Sequence, residues 1–227
     1  YLQELLKNRR TRLEMSKALQ KAFQEVSYIL YSMDEIKQRL LTDDNGKHLM
    51  SVEDLIQKHT LVEADINVLS ERVRGVVQNL QNLRDEVGPE GYRPCDPSVI
   101  DGRIDELDRA LRELFDMANN RRSRLDESKN RCQFLWEMAE EDAWLKEKEQ
   151  ILSSSEIGHD LTSVNLLISK NRTLDDDIEA HYNQLQNSTT NWHTFASSGN
   201  YGADDVRRRT DEIMGSWDNL KLLQSIR

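Results

Sequence analysis

The sequence predicts an all-α protein made of two tandem three-helix coiled-coil bundles, joined by a continuous linker helix into an elongated rod. A hydrophobic stripe with alternating steps of three and four residues runs from Val52 to Val87, the a/d spacing of a coiled-coil helix. A second stripe with the same steps starts at Val164. Only 3 Pro and 9 Gly interrupt the 227 residues, so we expect few loops and long helices.

Each stripe predicts the central helix of one unit. The residues between the steps are mostly charged or polar, so each helix has one narrow apolar face that other helices must cover. The first stripe consists of Val52, Leu55, His59, Val62, Ile66, Leu69, Val73, Val76, Leu80, Leu83 and Val87. The second stripe consists of Val164, Leu167, Asn171, Leu174, Ile178, His181, Leu185, Ser188, Trp192 and Phe195.

The first unit reads as three helices separated by two breaks. Residues 1 to about 42 predict a helix whose apolar stripe is Leu13, Phe23, Val26, Leu30, Met33 and Leu40. The turn residues 43–46 end it, because they bond their own backbone or accept a positive φ. The first central helix follows, from about Leu49 to Val87. The loop 88–97 holds all three prolines, and Asp96 or Ser98 is expected to cap the next helix.

No Gly or Pro occurs from Arg103 to Ile157, so we expect one helix to run from the first unit into the second without a loop. Gly158 ends it, and the second central helix spans about Leu161 to Phe195. A final helix from about Asp204 carries the stripe Val206, Ile213, Trp217 and Leu220. We expect residues 1–12 to end a preceding repeat or to start the first helix, residues 13–122 to form the first unit, and residues 123–227 to form the second.

Composition and charge disfavour some classes of binding partner. Charged residues make up 32% and the net charge is −10, which disfavours nucleic acid and anionic lipid as main partners. The short basic clusters Arg9, Arg10, Arg12 and Arg121, Arg122, Arg124 are interpreted as solvated helix surface or linker salt bridges.

No apolar run approaches a membrane span, and no secretory leader is expected. The helical pattern is already under way at Tyr1, so we expect the chain to be cut from a longer protein.

No catalytic, cofactor-binding or metal-binding residue is predicted, and the chain is expected not to be an enzyme. His59 and His181 lie on the stripes, where a lone histidine is usually a satisfied or partly exposed core residue rather than a pH sensor or a ligand. Cys95 lies in a predicted loop and Cys132 on a predicted helix, and the two lack metal-ligand spacing. Because they come from different structural contexts, a reducing, intracellular setting is favoured. Trp136 lies one residue off its stripe, and it either lines the flank of the bundle or is an exposed anchor for a partner.

The two units are copies of one sequence pattern, and residues 8–67 match the second copy without a gap at a constant offset, which we call the repeat offset: it places Val52 on Val164. The same offset places Arg9 on Arg121, Leu40 on Leu152, Gly46 on Gly158 and Ile66 on Ile178. The chain therefore contains an internal repeat of one structural unit.

Two motifs in the second unit add a family resemblance. The segments Ala143–Glu149 and Gly158–Val164, together with Trp217 and the internal repeat, form a pattern that is similar to the spectrin repeat. The resemblance implies that Trp144 packs at the centre of its bundle.

The first unit departs from this pattern. It has Ser32 and Leu111 at the positions of Trp144 and Trp217. We therefore expect other residues to fill its core, namely Tyr28, Tyr31 and Met33.

Four segments, at residues 46–49, 52–66, 91–97 and 136–141, resemble about the third and fourth repeats of the beta-spectrin family. This resemblance implies a structural, elastic rod segment of the membrane skeleton that spaces actin-binding and membrane-anchoring regions. It also implies lateral, antiparallel pairing with an alpha-spectrin-like chain, contacts with actin and ankyrin through regions outside this segment, and a cytoplasmic location at the cell cortex under the plasma membrane. The alternative is an interaction module of a plakin-, actinin- or dystrophin-like protein that docks partner proteins.

Overall fold

The computed structural model describes residues 1–226, and these residues form long helices with no strand among them. A single 3-10 turn, Pro89–Gly91, lies in the proline-containing loop. The helices are α1 (Leu2–Leu40), α2 (Leu49–Asp85), α3 (Pro97–Leu152), α4 (Leu161–Ser197) and α5 (Ala203–Ile226). The predicted all-α class is therefore confirmed, and each predicted helix is present with its ends moved by a few residues.

The helices form two compact units, each with a core of its own. The first unit comprises Tyr1–Asn45 and Glu53–Leu125, and the second comprises Gly46–Val52 and the residues from Asp126 onward. The core of the first unit is built from α1, α2 and the early part of α3, and that of the second from the later part of α3, α4 and α5. Helix α3 continues through 56 residues, so the predicted helix without an intervening loop is confirmed.

The stripe of α2 faces the core as predicted, because its 3-4 spacing keeps one face turned toward the other two helices. Ile66 and Leu80 are at most 1% exposed in the first core, and Leu55 and Leu83 are half-buried. Val52 is also buried, but it belongs to the second unit. The exception is Val87, which lies beyond the end of α2 and is exposed.

The predicted stripe of α1 is partly wrong. Leu13 is 61% exposed, because it lies off the heptad that the buried residues follow. The buried face of α1 consists of Met15, Leu19, Ala22, Val26, Ile29, Met33, Ile36 and Leu40. These residues alternate strictly between steps of four and three, while Phe23 and Leu30 flank the face and are only partly buried.

The expectation that tyrosines fill the first core is also wrong. Tyr28 and Tyr31 are 57% and 63% exposed, whereas Met33 is 2% exposed. Aliphatic side chains fill this core instead, because the residues on the heptad of α1 are branched or flexible and pack without a large ring. The Tyr28 ring instead packs under the guanidinium of Arg72, whose Cζ lies 4.8 Å from the ring centroid.

The turns between helices depend on specific residues. Gly46 and Gly158 have φ values of +74° and +78°, which side chains with a Cβ atom rarely adopt. Asp160 then caps α4 by accepting a hydrogen bond from the Ser163 N–H at 2.7 Å, and this bond lowers the pKa of Asp160. Asp96 caps α3 in the same way through the Ser98 N–H at 2.9 Å, which confirms the predicted cap.

Gly158→Ala should destabilise the second unit by about 1–2 kcal/mol, the cost of a left-handed residue with a Cβ atom. The new Cβ would also lie 3.0 Å from the Val164 backbone nitrogen. Gly215→Ala in α5 is the matched control, since no atom lies within 4 Å of its Cβ position and alanine favours a helix by up to about 1 kcal/mol. Urea denaturation should give opposite signs for the two variants. A Gly158→Ala variant with an unchanged free energy of unfolding would contradict the assigned turn.

Ser123→Pro should uncouple the unfolding of the two units. Ser123 lies inside α3, and a proline in a helix interior removes a backbone donor and costs about 3 kcal/mol. One thermal transition of the wild type should therefore split into two, while Ser123→Ala, which keeps the helix, should leave it single. Two well-separated transitions in the wild type would show that α3 does not couple the units.

Candidate functional site

Aromatic rings from three helices meet at the centre of the second unit. Trp144 of α3 stacks on His181 of α4 with ring centroids 3.9 Å apart, and its ring lies 5.6 Å from Trp217 of α5. Trp217 is 1% exposed, and Tyr182 packs against it at 5.4 Å. The central packing that the resemblance implied for Trp144 is therefore present, although Trp144 itself is only half-buried.

Glu141 joins the polar atoms of these rings. Its carboxylate accepts a hydrogen bond from Trp217 Nε1 at 3.2 Å, and both of its oxygens lie 2.9 Å from His181 Nε2. A carboxylate that is largely removed from water needs such partners, and the Glu141 side chain is only 13% exposed. His181 is thus the satisfied core histidine that the sequence predicted. The sequence does not single out Glu141: its place three residues before Trp144 puts both side chains on one face of α3, but the partners that it contacts come from α4 and α5.

His59, the stripe histidine of the first unit, lacks a comparable partner. It is 5% exposed, and its ring hydrogen-bonds the backbone of Ala118. Nε2 lies 3.3 Å from Glu63 Oε1 but forms no hydrogen bond. Burial lowers the pKa of His59, while the Glu63 carboxylate acts in the opposite direction. The predicted core position is correct, but the histidine is only half satisfied.

Arg121 corrects the interpretation of the basic clusters. It is 3% exposed, donates from Nη1 to Asn45 Oδ1 at 2.8 Å and donates from Nη2 to the Asp44 carbonyl. Burial lowers its pKa. Arg121 is therefore neither solvated surface nor half of an ion pair: it holds the turn after α1. Arg10 is exposed and pairs with Glu14 at 2.9 Å, as predicted, whereas Arg12 is half-buried and pairs with Glu90 of the loop after α2.

A groove of about 570 Å³ opens between α3 and α4 of the second unit; we call it the Trp136 groove. Trp136 is 60% exposed on its rim, and Trp192 is 1% exposed on its floor. Of the two positions left open for Trp136, the structure shows the exposed one. The lining residues are Trp136, Glu137, Glu140, Glu141, Ala143, Trp144, Glu147, His181, Ser188 and Trp192. This arrangement of indoles and carboxylates can receive a cation. Of its members, the sequence indicated only Trp136 as a possible contact for a partner.

The same residues show no arrangement typical of a metal site. Between residues 1 and 226, no three His, Cys, Asp or Glu side chains lie together as metal ligands would. Cys95 and Cys132 are both free thiols. Within the same range, no helix contains an apolar stretch long enough to cross a membrane.

The family of the chain follows from comparison with known proteins. The sequence model of the spectrin repeat matches residues 17–127 and again residues 129–226. The chain belongs to the spectrin repeat family. Two matches in tandem agree with the two helical cores, and the family is a structural one.

Relatives of this chain include spectrin beta chains. The spectrin beta chain of Drosophila melanogaster is 54% identical over 220 residues, which is 97% of this chain and 10% of that protein. The erythrocytic spectrin beta chain of Mus musculus is 40% identical over 230 residues, covering 100% of this chain and 10% of the relative. The predicted resemblance to beta-spectrin repeats is confirmed. The chain spans about a tenth of the length of these relatives.

His59→Leu should stabilise the first spectrin repeat by about 1 kcal/mol, because leucine adds buried apolar area and removes an unsatisfied nitrogen. The lowered pKa of His59 also has a consequence for pH. An unfolded histidine binds a proton below about pH 6.5, so the folded repeat loses stability as pH falls from about 6.5.

Urea denaturation between pH 5 and pH 8 measures both effects. His59→Leu and His59→Gln should each remove the acid-dependent loss that His59 causes, since neither side chain titrates, but only leucine should raise stability at pH 8. A destabilised His59→Leu variant would show that the imidazole makes a further buried contact, more favourable than its contacts with Ala118 and Glu63.

Proposed function

We propose that this chain is a spacer segment of a beta-spectrin, one that pairs laterally and antiparallel with an alpha-spectrin-like chain. The observation that carries the proposal is the match of nearly the whole chain, 97% and 100% of it, to spectrin beta chains. A spacer needs stable folded units and no active centre. The two helical cores supply the first of these requirements.

The wider role follows from the same resemblance. We place the segment in the membrane skeleton at the cell cortex, between an actin-binding region and a membrane-anchoring region of a longer protein. Contacts with actin and ankyrin then belong to regions outside this segment. The repeat boundaries that we propose are residues 13–122 and 123–227, and the segment corresponds to about the third and fourth repeats.

The surface supports a pairing that is weak per repeat and electrostatic. Exposed ion pairs such as Arg39 with Asp65, 3.0 Å apart, lie across neighbouring helices, and the net charge is −10. An exposed ion pair contributes about 0–1 kcal/mol, so an interface built from such pairs needs many of them along its length. The proposed partner must therefore present complementary positive charge along many residues.

Sedimentation velocity and calorimetry with an alpha-spectrin fragment of two repeats test this proposal. Binding should weaken as salt rises, because charges are screened over about 8 Å at physiological ionic strength, and it should strengthen when the preceding beta repeats are added. Replacing the added salt with an equal osmolarity of sucrose is the control, since sucrose does not screen charge.

The competing function is an actinin-like homodimeric segment. Tight self-association that does not respond to the alpha fragment would exclude the proposed heterodimer and favour that alternative. Binding to the alpha fragment that is insensitive to salt would contradict the electrostatic basis of the pairing.

A further inference from the structure

Trp136 is not an isolated exposed residue but lies beside other side chains on one surface of α3. It shares one face of α3 with Glu140 and Trp144, which follow at steps of four residues. Its indole is 60% exposed on the rim of a groove that also contains carboxylates. An indole face attracts cations through its quadrupole, and a neighbouring carboxylate adds to that attraction.

The carboxylates of the Trp136 groove lack cationic partners at the end near Trp136. Glu137 accepts hydrogen bonds only from neutral donors, Trp192 Nε1 and Gln133 Nε2, each at 3.4 Å. Glu140 has no hydrogen bond or ion pair with any residue of the range 1–226. No Lys or Arg lines the groove; Lys148 pairs with Glu147 at the opposite end, 3.4 Å away.

The first unit shows how such a surface is neutralised. At the repeat offset, Glu25 and Tyr28 correspond to Glu137 and Glu140. There, Arg72 of α2 extends over the Tyr28 ring, 4.8 Å from its centroid, and its Nε donates to Glu25 Oε1 at 3.3 Å. One guanidinium thus contacts both an aromatic face and a carboxylate.

The second unit lacks that guanidinium. The residue that corresponds to Arg72 is Gln184, which carries no charge. The carboxylates remain, and Trp136 supplies a larger aromatic face than Tyr28 at a neighbouring position on the same helix surface. The internal repeat therefore identifies the missing chemistry, a guanidinium beside the positions of Glu137 and Glu140.

We infer that the Trp136 groove docks an arginine-bearing segment of a partner protein, whose guanidinium stacks on Trp136 and bonds Glu137 and Glu140. Arginine fits better than lysine because its planar fork stacks on an indole and bonds a carboxylate with two parallel N–H groups. The inference goes beyond lateral pairing and does not require an alpha-spectrin chain.

The test is a titration of the whole chain with a blocked Gly-Arg-Gly-Arg-Gly peptide, followed by the indole N–H resonances of the tryptophans. The same peptide with citrulline in place of arginine is the ligand control, since it keeps the shape and loses the charge. The arginine peptide should shift the Trp136 resonance in a saturable way, and the citrulline peptide should not. The peptide contains no spectrin sequence, so failure here and failure of lateral pairing are distinguishable.

Three variants locate the binding. Trp136→Ala and Glu140→Gln, at exposed positions, should each weaken binding about fivefold or more. Glu179→Gln is the matched control, because it removes an exposed carboxylate from α4 outside the groove and should leave affinity unchanged. Gln184→Arg should abolish peptide binding, because it supplies from within the chain the guanidinium that Arg72 supplies in the first unit.

Several results would overturn the inference. The Trp136 resonance could fail to saturate, the citrulline peptide could bind equally well, or Glu179→Gln could weaken binding as much as Glu140→Gln, which would indicate diffuse charge attraction. A Trp136-dependent dimer in sedimentation equilibrium would show that the groove is covered by a second copy of the chain instead.

Discussion

The structure depends on covering the narrow apolar face of each central helix. An isolated helix with the stripe of α2 would expose a continuous row of aliphatic side chains to water, at about 25 cal/mol for each Å² of apolar surface. Two neighbouring helices with matching heptads remove that surface, and each unit supplies both from adjacent sequence. Val52, Leu107 and Leu114, for example, are fully buried. Their burial is therefore determined by their spacing along the helix more than by which apolar residue they are.

The two cores meet this constraint with different chemistry. Ile29 and Leu69 of the first unit are buried aliphatic residues, and at the repeat offset they correspond to Glu141 and His181. A carboxylate at the Ile29 position is tolerable only with donors, and His181 and Trp217 provide them. The polar set of the second core works as a group, whereas in the first unit the buried His59 leaves its Nε2 without a hydrogen bond.

Periodicity explains what the sequence could predict. Helix existence, the breaks at Gly46 and Gly158 and the stripes of α2, α4 and α5 follow from local spacing and from backbone preferences. Tyr28 and Tyr31 carry large rings but lie out of phase with the heptad of α1, on which only their neighbour Ile29 lies. Glu141 and Arg121 could not be placed by spacing, since their burial depends on partners that come from other helices or from a turn.

The Trp136 groove illustrates how an internal repeat adds information that neither unit contains alone. In the first unit, Arg72 covers a ring and a carboxylate and completes the surface from within. The second unit keeps the carboxylate and exposes a ring, while Gln184 replaces the cation. A surface left with unneutralised charge beside an exposed indole gains more from an external guanidinium than one that is already paired. The contact that we propose with another protein therefore lies where the surfaces of the two repeats differ.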